Sequence, residues 1–238
     1  DIHQIEPICK VSPSADFANA KRYGLESFWL DGEPAAPHIV SKPRTGGPQG
    51  SIMRLAQHAT TACSPDTGDE RGIFLSEHRR CRKEVIEYCN RLVYKGRLQA
   101  LSPPRSKEPP LPPLAWAHVR GLARKHGGST GNEREAAAIV GWLVSNAQGW
   151  RDHYGKDLGE VVAVITPFRH QANLIRKGLA KAGSDFAAVT VGTVHSLQGA
   201  EKPIVVFSPA YDADTLSETM FFDLTPNMMN VAVSRAKD

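Results

Sequence analysis

Strand and helix follow each other most clearly in residues 161–181, which read VVAVITPFRHQANLIRKGLAK. The five apolar residues 161–165 are typical of a strand that is buried on both faces of a parallel sheet. Beyond Pro167 the apolar residues recur at helical spacing, which predicts a helix over 171–181. A buried strand followed at once by a helix is the building unit of a parallel α/β sheet.

Two more short apolar runs predict strands of the same sheet, at 188–191 (AVTV) and at 204–208 (IVVFS). Upstream, apolar stripes predict helices over 79–93 and over 132–147, the second with Asn132 as its N-cap. The fold class predicted from these elements is α/β, a parallel sheet flanked by helices. In such sheets ligands bind beyond the carboxyl ends of the strands, so the loops after 165, 191 and 208 are the candidate sites.

The N-terminal part of the chain carries little periodicity. We interpret 9–71 as an irregular connector with short helices at 17–29 and 52–59. A second break, at 102–113, has six prolines in the eleven residues from Pro103, and such a stretch must be extended. We favour a stiff connector there over the alternative of a protein-binding segment.

Composition excludes several classes of protein. The 238 residues are 41% hydrophobic and 23% charged, as in globular proteins, and no apolar run is long enough to cross a membrane. The N-terminus lacks the features of a secretory signal, so a cytoplasmic protein is expected. The four cysteines lack the spacing of a zinc site or a disulfide framework, and we expect reduced structural thiols.

The net charge of +4 is too small to identify a polyanionic partner. The charge is unevenly distributed, however, because residues 71–107 hold ten Lys or Arg and three acids. This stretch is a candidate phosphate-facing surface, although a solvated helix face is the alternative interpretation.

Three stretches in the second half of the chain resemble the late motifs of one family. They are TPF at 166–168 with Gln171, GTVHSLQGAE at 192–201, and NVAVSRAK at 230–237. In this order and spacing they look like motifs of superfamily 1 nucleic-acid helicases, of the branch that includes the nonsense-mediated-decay and Okazaki-fragment helicases. The resemblance implies a RecA-like fold of the P-loop NTPase type.

Two upstream stretches resemble earlier motifs of that family. EHRRC at 77–81, followed by Asn90 and by YKGRL at 94–98, resembles the arginine-bearing motif and the strand after it, with Arg79 in place of the usual aromatic residue. DIHQIEP at 1–7 resembles the motif that closes the first RecA-like domain. The expected division is therefore 1–8 as the end of a first motor domain, 9–71 as connector and 72–238 as the second motor domain, cut from a longer, bacterial protein and truncated at its C-terminus.

The resemblance also implies roles for individual residues. Arg235 looks like the arginine finger, Arg80 like its companion, and Gln4 like the residue that senses the γ-phosphate. The implied nucleotide-binding positions are Gln198, Gly199 and Glu201, with Glu201 accepting from a ribose hydroxyl. No GxxxxGK[ST] and no strand ending in Asp-Glu is present, so ATP and Mg²⁺ are expected to be bound mainly by the first motor domain, and this chain alone should not hydrolyse ATP.

A further set of residues is implied to grip single-stranded DNA or RNA: Thr166, Pro167, Thr193 and His195. The expected partners are this strand and the first RecA-like domain of the same full-length chain. Phe168 and Tyr94 are the candidate stacking platforms. Alternatives remain at single residues, namely an internal hydrogen bond for His195, an acid partner for Arg235 and a Glu201 pair with Lys202.

Two other functional classes compete with the motor domain. One is a non-catalytic, helicase-derived module that binds nucleic acid or protein. The other is a plain α/β hydrolase or transferase, which the absence of HExxH and of a cysteine nucleophile motif disfavours.

Overall fold

The computed structural model describes residues 3–5, 11–24, 29–30, 33–34, 53, 56–57, 60–63, 71–104, 107–197, 201–212, 214 and 226–238. The chain divides into two compact units, Asp1–Leu75 and Ser76–Asp238. No helix in the described part of the chain is long and apolar enough to cross a membrane.

The first unit contains a helix α1 (Pro13–Arg22) and two short antiparallel strands, β1 (Trp29–Leu30) and β2 (Glu33–Pro34). The predicted helix over 17–29 is wrong in both bounds. It begins at Pro13, because the Ser12 hydroxyl accepts from Ala15 N at 3.2 Å and proline favours the first helical turn. The helix ends before Gly24, whose φ is +65°. Most of the helix predicted over 52–59 lies outside the described residues.

The second unit carries the parallel sheet and most of the helices that the structure describes. Its elements are β3 (Glu77–His78), α2 (Lys83–Cys89), a π-helix (Asn90–Tyr94), β4 (Gln99–Ala100), β5 (Arg124–His126), β6 (Ser129–Gly131), α3 (Glu133–Tyr154), α4 (Leu158–Val161), β7 (Val162–Thr166), α5 (Arg169–Ala182), α6 (Ser184–Ala187), β8 (Thr190–Thr193), a 3₁₀ turn (Val194–Leu197), β9 (Ile204–Phe207) and α7 (Asn227–Val233).

Strands β8, β7 and β9 form a parallel sheet in that order, with β7 in the centre. Val164 pairs with Val191 on one side and with Val206 on the other. All five residues of β7 are buried, as the continuous apolar run predicts. The α/β class with a parallel sheet is confirmed, and the fold is consistent with a RecA-like domain of the P-loop NTPase type.

The helices α3 and α5 pack against each other beside the sheet. Helix α5 buries Ala172, Ile175 and Leu179, which meet Leu143 of α3 in the core. The predicted N-cap of α3 is confirmed, because Asn132 Oδ1 accepts from Glu135 N at 3.1 Å. The helix is longer than predicted and continues to Tyr154.

The helix predicted over 79–93 is a shorter α-helix, α2, continued by a π-helix. Asn90 holds the following turn, since its side chain donates to Leu98 O at 2.8 Å and accepts from Leu98 N at 2.9 Å. The resemblance places Tyr94 in a strand and makes it a candidate base-stacking platform. It lies instead in the π-helix at 6% exposure, and its hydroxyl accepts from Asn230 Nδ2 at 3.1 Å, so its ring has no open face to offer a base.

Candidate functional site

A polar cleft of about 460 Å³ lies in the second unit where three separate segments meet. Its walls come from β3 and the loop after it, from the segment before β9, and from the chain after α7. The side chains that line it are Glu77, His78, Arg79, Arg80, Glu201 and Lys237. We call it the cationic cleft.

Backbone hydrogen bonds fix these segments to one another. Lys202 N donates to Arg235 O at 3.1 Å, and Lys237 N donates to Lys202 O at 3.0 Å, so the two segments run side by side in parallel. Arg82 N donates to Lys237 O at 3.1 Å and adds the third segment. Residues that lie far apart in the sequence are therefore brought to one place by main-chain contacts.

Glu201 is the anion at the centre of the cationic cleft. Its Oε2 forms an ion pair with Arg80 Nε, and its Oε1 lies 2.6 Å from Lys237 Nζ. The hydrogen bond from Lys237, helped by the charges of Arg80 and Arg235, lowers the pKa of Glu201 below its usual value. The alternative pair between Glu201 and Lys202 does not form, since the Lys202 ammonium donates to Gly159 O at 2.5 Å.

Arg235 lies behind the cleft and is only 7% exposed. Its Nε donates to Val231 O at 3.2 Å and its Nη2 to Ser234 Oγ at 3.3 Å. Burial, and then the neighbouring Arg80, lower the pKa of Arg235. Arg80 Nη1 donates to Ser234 O at 3.3 Å, so the two arginines that the sequence singled out converge on one turn of the chain.

The cationic cleft carries more positive than negative charge. Arg79 is paired with Glu77 at 2.7 Å on the exposed rim, while Arg80 and Lys237 share the single carboxylate of Glu201. Arg235, behind them, forms no ion pair with an acid among the described residues, contrary to the alternative raised for it. The arrangement favours binding of an anion, and two guanidinium groups suit the oxygens of a phosphate.

His78 also lines this cleft, and its only distinction in the sequence is its place in the EHRRC stretch. Its Nε2 accepts from Cys81 N at 3.0 Å, which requires the unprotonated nitrogen. Burial, and then the charges of Arg80 and Arg235, lower the pKa of His78 below its ordinary value of 6.5. Neutral imidazole is therefore the form that the folded protein favours.

We expect His78 to make the chain less stable in weak acid. A lowered folded-state pKa gives stability that is complete above the unfolded value of 6.5 and is lost as the pH falls through the folded value. Urea unfolding at pH 8 and at pH 5.5 should show a smaller loss of unfolding free energy in His78→Gln than in the wild type. An identical pH dependence in both proteins would contradict the role given to His78.

The residues predicted to contact single-stranded DNA or RNA lie at the carboxyl ends of the neighbouring β-strands β7 and β8. Thr166 ends β7 and is fully buried, with its hydroxyl accepting from Phe168 N at 3.3 Å. Thr193 ends β8 and is half-buried, with its Oγ1 3.5 Å from Ser196 Oγ. Burial lowers the pKa of the half-buried His195. Pro167 is half-buried between Thr166 and Phe168.

The remaining candidates divide between the described and undescribed parts of the chain. Gln4 is half-buried within the first unit. Gln198 and Gly199 lie outside the described residues. Among the residues that the structure describes, no cluster of three or more His, Cys, Asp or Glu could hold a metal ion, and Cys63, Cys81 and Cys89 are free thiols.

A buried polar network was missed by sequence reasoning. Ser208 Oγ donates to Glu135 Oε1 at 2.5 Å and accepts from Gln171 Nε2 at 3.0 Å, while Gln171 Oε1 accepts from Asn132 N at 2.8 Å. Burial raises the pKa of Glu135. The sequence signals were Gln171, which follows the TPF stretch, and the Asn132 N-cap; the network ties the first turn of α5 and the residue after β9 to the start of α3.

Comparison with known proteins shows likeness to a protein family and to a viral polyprotein. A family model described as "AAA domain" matches residues 52–238. The Replicase polyprotein 1ab of Alphamesonivirus 1 (isolate Aedes harrisoni/Cote d'Ivoire/C79/2004) is 31% identical over 166 residues, which make up 68% of this chain and 3% of that polyprotein. The chain thus spans a small fraction of the length of this relative.

Proposed function

The chain belongs to the AAA domain family, and on that basis we propose that it is the second motor domain of an ATP-dependent superfamily 1 helicase or translocase. Both likenesses support a helicase-type nucleic-acid motor domain. We further propose the branch of the nonsense-mediated-decay and Okazaki-fragment helicases, and a longer, bacterial parent protein located in the cytoplasm.

One observation carries this proposal above all others. Arg80 and Lys237 share Glu201 at the surface of the cationic cleft, and Arg235 lies directly behind them. A second motor domain requires cations that reach the γ-phosphate of a nucleotide held by the first domain. The excess of positive charge in a cleft of about 460 Å³ fits the phosphate end of that nucleotide.

In this mechanism the chain contributes charge and position. The guanidinium groups of Arg235 and Arg80 neutralise negative charge on the γ-phosphoryl oxygens as it is redistributed in the transition state. Lys237 stays as a third cation at the mouth of the cleft. ATP and Mg²⁺ supply the phosphoryl group and its counter-charge when they are bound, mainly by the first motor domain. Gln4 belongs to the segment 1–8 that we assign to that domain, and its proposed role is to sense the γ-phosphate.

The nucleotide and the strand occupy different parts of the sheet edge in this proposal. Gln198, Gly199 and Glu201 serve the nucleotide, with Glu201 free to accept from a ribose hydroxyl once it releases Arg80. The residues assigned to the DNA or RNA backbone are Thr166, Pro167, Thr193 and His195. Because Thr166 is buried and binds Phe168 N, it acts by shaping its loop, and exposed backbone groups make the phosphate contacts.

The test compares two proteins, the full open reading frame and the 238-residue chain alone. ATP hydrolysis by each is measured with no nucleic acid, with single-stranded DNA and with single-stranded RNA. We expect ATP hydrolysis only by the longer protein and only in the presence of a single-stranded nucleic acid. Whichever of DNA and RNA stimulates hydrolysis is the nucleic acid along which the motor moves. Hydrolysis by the 238 residues alone, or none by either protein, would overturn the proposal, and the second result would favour a non-catalytic binding module.

A further inference from the structure

A short basic hairpin next to the sheet edge has no role in the function proposed above. Strands β5 and β6 pair antiparallel, and Gly127 and Gly128 between them have φ of +53° and +78°. Two successive residues with positive φ are typical of the tight hairpin turn that matches the twist of its strands. Arg124 and His126 on β5 are exposed.

One face of the hairpin packs on the start of α5. Side chains alternate along a strand, so Arg124 and His126 share a face, and their cross-strand partners Gly131 and Ser129 lie on that same face. The His126 and His170 rings stack with centroids 4.8 Å apart, and His170 N donates to Ser129 Oγ at 3.0 Å. A Cβ on Gly131 would lie 2.3 Å from His170 Cδ2, so glycine allows the close contact.

These contacts bring Arg124, His126, Arg169 and His170 together; we call this group the hairpin patch. Arg124 and Arg169 are exposed, and neither forms an ion pair with a carboxylate in the described part of the chain. The carboxylate that contacts the base of the hairpin is Asp212, whose Oδ2 accepts from Ala123 N at 2.6 Å. The patch thus presents two arginines with no described counter-ion.

The hairpin patch adjoins the loop after β7, where Thr166 and Pro167 are proposed to contact the nucleic acid. Arg169 follows Phe168, whose half-buried ring meets Tyr211 edge to face with centroids 5.5 Å apart. Cations beside an aromatic ring are the combination that binds single strands, because phosphates meet the cations while bases stack on the ring.

We propose that the hairpin patch binds the phosphodiester backbone of the single-stranded nucleic acid on which the motor moves. The inference rests on the proposed function and adds a contact surface outside the motifs that suggested that function. Arg124 and Arg169 each engage a phosphate through the guanidinium fork, and the stacked imidazoles hold the hairpin against α5 so that both forks face the strand. Such contacts carry no base specificity, as movement along any sequence requires.

The experiment measures binding of the full-length protein to fluorescent oligo(dT) and oligo(U) by anisotropy over a range of salt concentrations. The logarithm of the association constant falls as the logarithm of the salt concentration rises, and each phosphate contact to a single strand makes this slope steeper by about 0.7. Arg124→Ala/Arg169→Ala should therefore make the slope shallower by about 1.4. We expect its Kd to rise by roughly tenfold near 0.1 M salt. Arg124→Lys/Arg169→Lys keeps both charges and should retain the wild-type slope.

The matched control is Lys177→Ala/Lys181→Ala, which removes two exposed cations from the other end of α5 and should leave Kd and slope unchanged. If the wild type binds neither strand, the proposed function fails and this inference fails with it. If the wild type binds and Arg124→Ala/Arg169→Ala keeps its slope, the hairpin patch is a solvated surface and only this inference is overturned. Thermal unfolding of each variant confirms that the fold is intact.

Discussion

Arg235→Ala in the full-length protein should reduce the kcat of strand-stimulated ATP hydrolysis by roughly 10³-fold or more. Arg235 is held behind the cationic cleft by hydrogen bonds to Val231 O and Ser234 Oγ, which fix its guanidinium group before any anion arrives. A positioned cation stabilises the transition state without reorganisation, so its loss is expected in kcat more than in KM.

Three comparisons make this result specific. Arg235→Lys keeps the charge but loses the planar fork and should recover only part of the rate. Arg151→Ala removes an arginine whose Nη2 lies 3.1 Å from Asp185 at the surface, and should hydrolyse ATP at the wild-type rate. Urea unfolding shows whether Arg235→Ala is folded. A folded variant with an undiminished kcat would contradict the role of Arg235.

Ile175→Ala should lower the free energy of unfolding of the 238-residue chain by about 2 to 5 kcal/mol. Ile175 has no exposed surface and lies on the side of α5 that faces the core, among Leu143, Leu179 and Val164. Truncation removes buried apolar atoms and leaves a cavity whose lining loses its dispersion contacts. Because most domains are stable by only about 5 to 15 kcal/mol, this change should shift the urea midpoint substantially.

Lys177→Ala is the matched control on the same helix. Lys177 is exposed, and replacement with alanine preserves helix propensity, so its unfolding free energy should stay within about 0.5 kcal/mol of the wild type. A similar midpoint for Ile175→Ala and Lys177→Ala would mean that α5 does not cover the sheet as described.

The parallel sheet was predictable because burial on both faces leaves a local trace. Residues 161–165 are continuously apolar, and a strand that touches water on neither side needs no polar residue. The observed strand, Val162–Thr166, is displaced by one residue, since Val161 ends the short helix α4. An apolar run alone does not distinguish the last residue of a helix from the first of a strand.

The contacts of the site were less predictable because they depend on distant partners. The sequence motifs identified Arg80 and Arg235. No feature of the neighbouring sequence indicated that Glu201 would bind Lys237 or that Tyr94 would be buried against Asn230. The Glu135–Ser208 hydrogen bond likewise joins residues 73 apart in the sequence. Such pairings follow from the order of the β-strands and the packing of the helices. The hydrophobic periodicity of the sequence predicts neither the strand order nor the helix packing.

Because Arg80 and Lys237 share the carboxylate of Glu201, an anion can bind them only by displacing that carboxylate. An arriving anion does not fill an empty positive site; it competes with Glu201, which is already bound to both cations. An anion with one charge replaces one ion pair with another and gains little. A terminal phosphate carries nearly two negative charges, so Arg80 and Lys237 attract it more strongly than they attract Glu201. We therefore expect the cleft to bind a terminal phosphate in preference to monovalent anions.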